Sequence, residues 1–510
     1  MIHALFVHRE TYVDSVVQLS GTRAMLGVEG VDWASAAMAT PHNVATLQSE
    51  GFAVDELAGA GANDLFLAVR AATQAIVDAA REAGEAALFG TERERGPVEE
   101  TPARTLEEAL RRQPDTNVAV ISVPGDYAAL EAHKALTAGL HVLLFSDNVS
   151  VDDEIALKDR ASELGLLVMG PGAGTAMLGG ACLGFANVVH PGRVAVVAAA
   201  GTGAQEAATL LDRWGVGVSQ VVGLGGRDLS ARVGGRMALA AIRGLAADRD
   251  TDAVLLVSKP PDVGVAREVL AAAGDTPLVA ALIGVPPGFA APAGATVTRT
   301  LEAGALATVR AVGGAWPDVA TGLTEQVQER IADLADRRTL VRGLYSGGTL
   351  CYESLVLLSE VLGDVHSNTP LRPELGLPGP RNAHICLDLG EEEYTRGRPH
   401  PMIDPQARIE LLREVGADPE VAAIVLDVVL GHGAHPDPAA ELAPECARIT
   451  AGGGPVIVVY VLGTDADPQN RERQRAAFTD AGCLVTPTAA RAALAAAAVA
   501  RREPALAERE

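Results

Sequence analysis

Residues 194–214 and 341–362 constrain the fold of this chain more than any other feature. The first stretch runs Val194-Ala-Val-Val-Ala-Ala-Ala-Gly201-Thr202-Gly203-Ala-Gln-Glu206 and continues in a helical apolar pattern through Leu211 and Trp214. The second runs Val341-Arg-Gly-Leu-Tyr-Ser-Gly347-Gly348-Thr349-Leu-Cys-Tyr-Glu353, followed by Leu355, Leu358 and Leu362. A shift of 147 residues, from 194 to 341, superposes the valine, the Gly-Thr pair and the glutamate. Each stretch reads as a buried strand, a glycine turn and a helix start. Such a turn points unpaired backbone N–H groups outward, where an anion can sit.

The same rhythm continues after each stretch. Strands are expected at 194–199, 218–222, 253–258 and 278–283, and again at 341–345, 384–388, 423–429 and 456–461, with helices between them. An internally duplicated flavodoxin-like unit accounts for this, and its period is far beyond that of a solenoid. Upstream, 118–123, 141–145 and 166–169 are continuous apolar runs alternating with helix patterns at 127–138 and 152–164. That is the mark of a parallel sheet covered on both faces. Thr105-Leu-Glu-Glu108 has the capping-box spacing of a helix start. The result is a Rossmann-like domain without a GxGxxG at its first turn, so a nicotinamide dinucleotide is not indicated.

The expected fold class is α/β throughout. Residues 1–95 read as a small N-terminal α/β unit, with strands at 2–8 and 30–39 and helices at 11–27, 42–50 and 64–84. The charged segment 91–100 reads as a linker. The Rossmann-like domain takes 96–191, a first flavodoxin-like domain 192–318, a helical linker 319–339 and a second flavodoxin-like domain 340–510. The alanine-rich stretch 488–500, interrupted by Arg491, reads as an ordinary surface helix.

Composition excludes several classes of function. The 65 acidic residues outnumber 41 basic ones, for a formal charge of −24. A nucleic-acid binder needs a basic footprint, and an anionic membrane repels this charge. A local nest of N–H groups can still hold phosphate against such a field. No signal-peptide pattern and no apolar run of membrane-spanning length is visible. The five cysteines are odd in number, scattered and without a CxxC. A reduced cytoplasmic protein is expected, with neither zinc nor a disulfide framework.

Several stretches then carry a family resemblance. Met169-Gly-Pro-Gly172 through His190-Pro-Gly-Arg-Val194, together with Gly201-Thr202, Glu206, Val222-Gly-Leu-Gly-Gly226 and Asp252–Val257, are similar to the α subunit of succinyl-CoA synthetase over roughly 105–315. Tyr12-Val-Asp-Ser15, Met38–Asn43, Phe145-Ser-Asp-Asn148, Ser258-Lys-Pro-Pro261, Ser346–Glu353, Gly397–Asp404 and Leu426–Gly431 extend the likeness over the whole chain to the FdrA family. The resemblance implies that the Rossmann-like domain is of the CoA-binding type. It also implies one subunit of an oxamate carbamoyltransferase of purine catabolism, which turns oxalurate and phosphate into oxamate and carbamoyl phosphate with partner subunits of other families. One departure stands out. A synthetase α subunit carries a phosphohistidine after the fourth strand of its ligase domain, whereas the corresponding 286–298 here contains no histidine.

The candidate residues follow. Gly201, Thr202, Gly203, Gly347, Gly348 and Thr349 are expected to hold phosphate or carbamoyl phosphate, with Gly225 and Gly226 as a second wall and Lys259 as a neutralising charge. Arg396, Arg398, His400 and Asp404 place two guanidinium forks, an imidazole and a carboxylate in nine residues. Arg suits a planar carboxylate or phosphate, and His400 can move a proton near neutral pH. His435 lies in a loop after a strand, and Asn43 and Asn148 are expected as polar contacts. No metal is expected. Phosphate or carbamoyl phosphate is the expected substrate, with CoA or a nucleotide open. The partner is either another copy or the other subunits of a hetero-complex. The alternatives are an ADP-forming CoA ligase and a non-catalytic scaffold that binds a nucleotide or CoA.

Overall fold

The computed structural model describes residues 1–13, 15–61, 63–90, 103–286, 288–395 and 399–509. They divide into two compact units, one of 1–103 with 392–403, the other of 104–391 with 404–510. The charged linker expected at 91–100 lies outside the described residues.

The first unit contains β1 (Ile2–His8), α1 (Ser15–Leu26), β2 (Val31–Met38), α2 (Pro41–Ser49), β3 (Leu65–Ala71) and α3 (Gln74–Phe89). β3 is the central strand of an antiparallel sheet ordered β1-β3-β2. This corrects the helix expected at 64–84, because helix begins only at Gln74, under the Thr73 cap. Leu65-Phe-Leu-Ala-Val69 is apolar without a break, and such a run does not separate strand from buried helix. A strand points successive side chains to opposite faces. Leu65, Leu67 and Val69 enter one apolar cluster, while Phe66 and Ala68 enter another.

The second unit opens with α4 (Leu106–Arg112), β4 (Val118–Ile121), α5 (Gly125–Thr137), β5 (His141–Leu144), α6 (Val151–Leu164) and β6 (Val168–Met169). Its three strands form a parallel sheet, β4-β5-β6. Half of the capping box is present: Glu108 N donates to Thr105 Oγ1 (3.1 Å), while the Glu108 carboxylate accepts from the N–H of Arg104 (3.0 Å), one residue before the cap. A hairpin that sequence reasoning missed follows, β7 (Thr175–Leu178) and β8 (Ala181–Gly184). Next come β9 (Pro191–Ala198), α7 (Gly201–Arg213), β10 (Val218–Gly223), α8 (Arg236–Ala247), β11 (Ala253–Ser258), α9 (Val263–Ala271), β12 (Leu278–Leu282), β13 (Ala295–Thr298) and α10 (Leu301–Ala311). One apolar core runs from Ile121 and Leu143 through Val197 and Leu256 to Leu282, so the Rossmann-like sheet and this second sheet pack as one body.

The remaining elements are α11 (Leu323–Ile331), β14 (Leu340–Tyr345), α12 (Gly348–Leu362), β15 (Val365–Ser367), β16 (His384–Asp388), α13 (Glu392–Thr395, grouped with the first unit), α14 (Gln406–Ala417), β17 (Val421–Val429), α15 (Pro438–Ala451), β18 (Val456–Leu462), α16 (Arg471–Asp480), β19 (Leu484–Thr486) and α17 (Ala489–Arg501). The two larger sheets contain β13-β12-β11-β9-β10 and β19-β18-β17-β14-β16, the same order strand for strand. The duplication read from the sequence is therefore a duplication of topology. No helix among the described residues is long and apolar enough to cross a membrane.

α17 corrects a second expectation. It is no surface helix: every residue from Ala489 to Ala500 is buried. Its arginine deceived the sequence reading. Arg491 is sequestered with Glu302 in a two-toothed ion pair (2.6 Å), and Nη1 donates to the carbonyl of Arg509 (2.8 Å). Alanine all round lets the helix lie close to its neighbours on every side.

Candidate functional site

The carboxyl ends of parallel strands are where open α/β sheets bind ligands. β9 and β14 each end there in a glycine turn, and the two turns meet. Thr349 N donates to Thr202 Oγ1 across the contact (3.3 Å). Gly203 is required by this closeness, since a Cβ there would stand 2.9 Å from both Thr349 Cγ2 and Val257 Cγ1. Gly203→Ala would gain up to about 1 kcal/mol in helix propensity, against about 1–3 kcal/mol for overpacking. The second effect wins because Val257 and Thr349 are both β-branched and stiff at χ1. Chemical denaturation should show a net loss of stability, and a gain would mean that the turns are not in firm contact.

The turns are sisters by descent but no longer alike. Leu224 N donates to Ala198 O in the first half and Leu389 N to Tyr345 O in the second. Gly223 and Asp388 therefore occupy the same place in the two repeats. Val257 pairs with Ala198, and Asp427 follows Leu426, the partner of Leu344. Val257 and Asp427 are thus equivalent as well. The second half carries two carboxylates around its turn where the first has Gly223 and Val257, and both are almost fully buried. Asp427 accepts from the N–H groups of Ser346 (2.7 Å) and Gly347 (2.7 Å), and pairs with buried Arg408 (3.2 Å). The second turn has thus been supplied with its own anion. No side chain caps the start of α7 at Ala200.

Asp388 lies against Gly348, leaving no room for a Cβ there. Its backbone is clamped by Asn368, which both donates to Asp388 O (2.8 Å) and accepts from Asp388 N (2.9 Å). Burial raises its carboxyl to about 6, opposed in part by the charge of Lys259. Lys259 is half-buried after β11, and its ammonium stands 5.8 Å from the centre of the Tyr352 ring. The structure thus brings Thr202, Thr349, Lys259, Asp388 and Asp427 together at one place.

Other predicted residues lie elsewhere. Gly225 has φ +80° and nestles against Gly170 and Pro171. Gly226 is exposed beside it, and the following Arg227 pairs with Glu154 (2.9 Å). Behind this wall, Lys158 is fully buried and donates to Glu154 (2.7 Å), Asp228 (2.8 Å) and the carbonyl of Leu224 (3.0 Å). Asn148 is an exposed loop residue at φ 60° before α6. His435 is buried with both ring nitrogens engaged: Nδ1 accepts from Asp437 N (3.1 Å) and Nε2 meets Glu441 (2.9 Å). That arrangement ties down the start of α15. Asp404 accepts from Gln406 N (3.1 Å) ahead of α14. His400 belongs to the first unit, where its Nδ1 accepts from Met402 N (3.2 Å). Asn43, also in the first unit, ties a turn by donating to Met38 O (2.8 Å). Arg396 and Arg398 lie outside the described residues.

Sequence reasoning missed Asp388, Asp427 and Lys158. Asp388 ends an apolar strand with no motif around it, and Asp427, although inside the matching stretch Leu426–Gly431, has no spacing of its own that marks it as a site residue. Aligning Val222-Gly-Leu-Gly-Gly226 with Leu387-Asp-Leu-Gly-Glu391, as the duplication invites, would have exposed the exchange of Gly223 for Asp388.

Comparison with known proteins yields two family matches: CoA-ligase over residues 344–499, and AllF, heavy metal-associated domain, over residues 1–103. A soft-metal site does not fit the residues of that first unit. It contains no cysteine, the ring of His3 packs against Phe52 (4.8 Å), and His8 faces Glu85 (3.4 Å). Among the described residues of the chain, no three His, Cys, Asp or Glu side chains gather in a metal-binding group. The α subunit 2 of an ADP-forming succinate–CoA ligase from Archaeoglobus fulgidus is 31% identical over 37% of this chain and 65% of its own length. An apo dinucleotide-forming acetyl-coenzyme A synthetase from Ca. Korarchaeum cryptofilum aligns over 77% of this chain and 84% of that one, at 15% identity and a TM-score of 0.30. The uncharacterized protein YahF of Escherichia coli K12 is 40% identical over 94% of this chain and 95% of its own. With that likeness along nearly the whole length of both proteins, the chain belongs to the family of YahF.

Proposed function

We propose that this chain is a subunit of a carbamoyltransferase and that it holds carbamoyl phosphate at the start of α7. The observation that carries the reading is the difference between the sister turns. One has Asp427 bound to the N–H groups that lead into its helix, while the equivalent strand end of the other carries Val257 and leaves its helix start without a side-chain cap. Helix N-termini favour phosphate oxygens, and preorganised donors stabilise the oxyanion that develops during acyl transfer. The FdrA-like motifs, from Ser346–Glu353 to Leu426–Gly431, support this reading through the resemblance, which implies oxalurate and oxamate as the partners in the exchange. The test supplies oxalurate and phosphate to the full chain with its partner subunits and follows carbamoyl phosphate by phosphorus NMR. Absence of product with any carbamoyl donor would sink the proposal. Lys259→Met is expected to raise the KM for phosphate by about 10-fold or more, the scale of one charged hydrogen bond. An unchanged KM would place the phosphate elsewhere.

An ADP-forming CoA ligase is the second reading, favoured by the CoA-ligase match and the succinate–CoA ligase relative. It predicts CoA-dependent ATP cleavage through a phosphoenzyme. The absence of a histidine from 286–298 removes the side chain such a relay would use there.

A further inference from the structure

Among the described residues, the hydrogen bonding of the Asp388 carboxyl is confined to its own loop. It does not cap α12, whose N-cap residue Gly347 makes no side-chain bond, while the neighbouring N–H groups are taken by Asp427 and Thr202. Among the described residues it forms no ion pair. Its Oδ1 accepts from Gly390 N (3.0 Å). The sister repeat folds around the same turn with Gly223, so the fold itself does not ask for a carboxyl at this place. Yet the carboxyl is 2% exposed, clamped through its backbone by Asn368, and set against the turn that touches Thr202. Burying an acid that could have remained glycine costs stability. Such costs concentrate where a protein uses the group.

Resting on the carbamoyl-transfer reading above, we propose that Asp388 carries the proton which that transfer must move. It takes the proton from the attacking phosphate oxygen and gives it to the departing nitrogen. In the forward direction a monohydrogen phosphate oxygen forms a bond to the carbamoyl carbon of oxalurate. The bond from that carbon to the oxamate nitrogen breaks, and its electron pair leaves with the nitrogen. The phosphate loses one proton and the nitrogen gains one. Asp388 accepts the first and donates the second, so it ends as it began and no outside acid or base is consumed. A carboxyl that burial holds near 6 exchanges protons readily in both directions around neutrality. Lys259 keeps its ionised form within reach.

The test compares wild type with Asp388→Asn and Asp388→Glu, each as the full chain with its partner subunits. Asp388→Asn is expected to lower kcat about 100-fold or more, with the KM for phosphate within threefold of wild type. It should also erase the limb of the kcat profile near pH 6. Asp388→Glu should restore part of kcat and keep a limb. A solvent deuterium effect on kcat should be present in wild type. If the asparagine variant retains kcat within threefold, or keeps the same limb, Asp388 is not the proton carrier. If it loses phosphate binding along with kcat, its role is structural, and the inference fails equally. If wild type itself forms no carbamoyl phosphate, the carbamoyl-transfer reading has failed, which is a different result.

Discussion

Lys158→Met is expected to lower the unfolding free energy by about 3–5 kcal/mol, the usual cost of removing one partner from a buried ion cluster. Lys158, Glu154 and Asp228 are sealed from solvent at the junction of the Rossmann-like and first flavodoxin-like sheets. Methionine fills the space of the lysine stem but leaves two carboxylates without their shared cation. Asp228 retains the N–H groups of Met237 (3.2 Å) and Ala238 (2.9 Å), and Glu154 retains Arg227. These remaining partners set the loss within the range rather than above it. Leu224 also loses the donor to its carbonyl, and Leu224 lies directly before Gly225 and Gly226. Denaturant unfolding of the full chain measures the effect. Adding Glu154→Gln to the lysine variant should recover part of the loss. A single-variant change under about 1 kcal/mol would mean that water reaches the cluster.

The second large effect depends on pH. Glu353 lies in α12 one turn beyond Thr349, fully buried, with Oε1 accepting from Leu301 N (2.6 Å) and Oε2 without a partner. Burial first, then the nearby charges of Glu206 and Glu302, push its carboxyl up from the ordinary 4.5 to about 8. Between those values the folded chain holds a proton that the unfolded chain has released. Stability therefore falls as pH rises, by about 1.4 kcal/mol per pH unit. Glu353→Gln keeps the acceptor for Leu301 and cannot ionise. Its melting temperature should match wild type near pH 4.5, exceed it increasingly up to pH 8, and hold a constant lead beyond. The full gap amounts to about 5 kcal/mol. Calorimetry across that range decides the matter, and a gap that does not grow with pH would contradict the assignment. Glu206→Gln should also move the midpoint down, because one charge that resists ionisation of Glu353 is gone.

The repeat was the most legible part of the fold. Eight strands of the two sister domains stand within a few residues of their expected places, because continuous apolar runs between glycine turns leave few readings. The short edge strands β13, β15 and β19 were missed, since three or four residues give no period to detect. Residues 65–71 read as helix in the sequence because both faces of a central strand are apolar. α17 reads as a surface helix because an arginine in an alanine run looks solvated, whereas its partner, Glu302, lies 189 residues away. The candidate site was legible only in its glycines, its threonines and Lys259. These carry a local pattern. Asp388 does not, Asp427 shows only as part of Leu426–Gly431, and the meaning of both depends on which strand ends lie side by side.

The meeting of Thr202 with Thr349 has a further consequence. It belongs to a seam where Tyr460 donates to Glu206 (2.5 Å), Arg213 to the carbonyl of Pro487 (2.8 Å) and Asn187 to Asp467 (2.8 Å). These contacts resemble those of a dimer, but both members are carried on one tether. Their encounter is unimolecular, at an effective concentration on the order of millimolar. Dilution cannot part them. A free dimer of two equal halves would have to keep both faces identical, since each surface patch must serve on either side of the axis. The tether lifted that constraint. One half was then free to carry Asp388 and Asp427 around its turn while the other carries Gly223 and Val257.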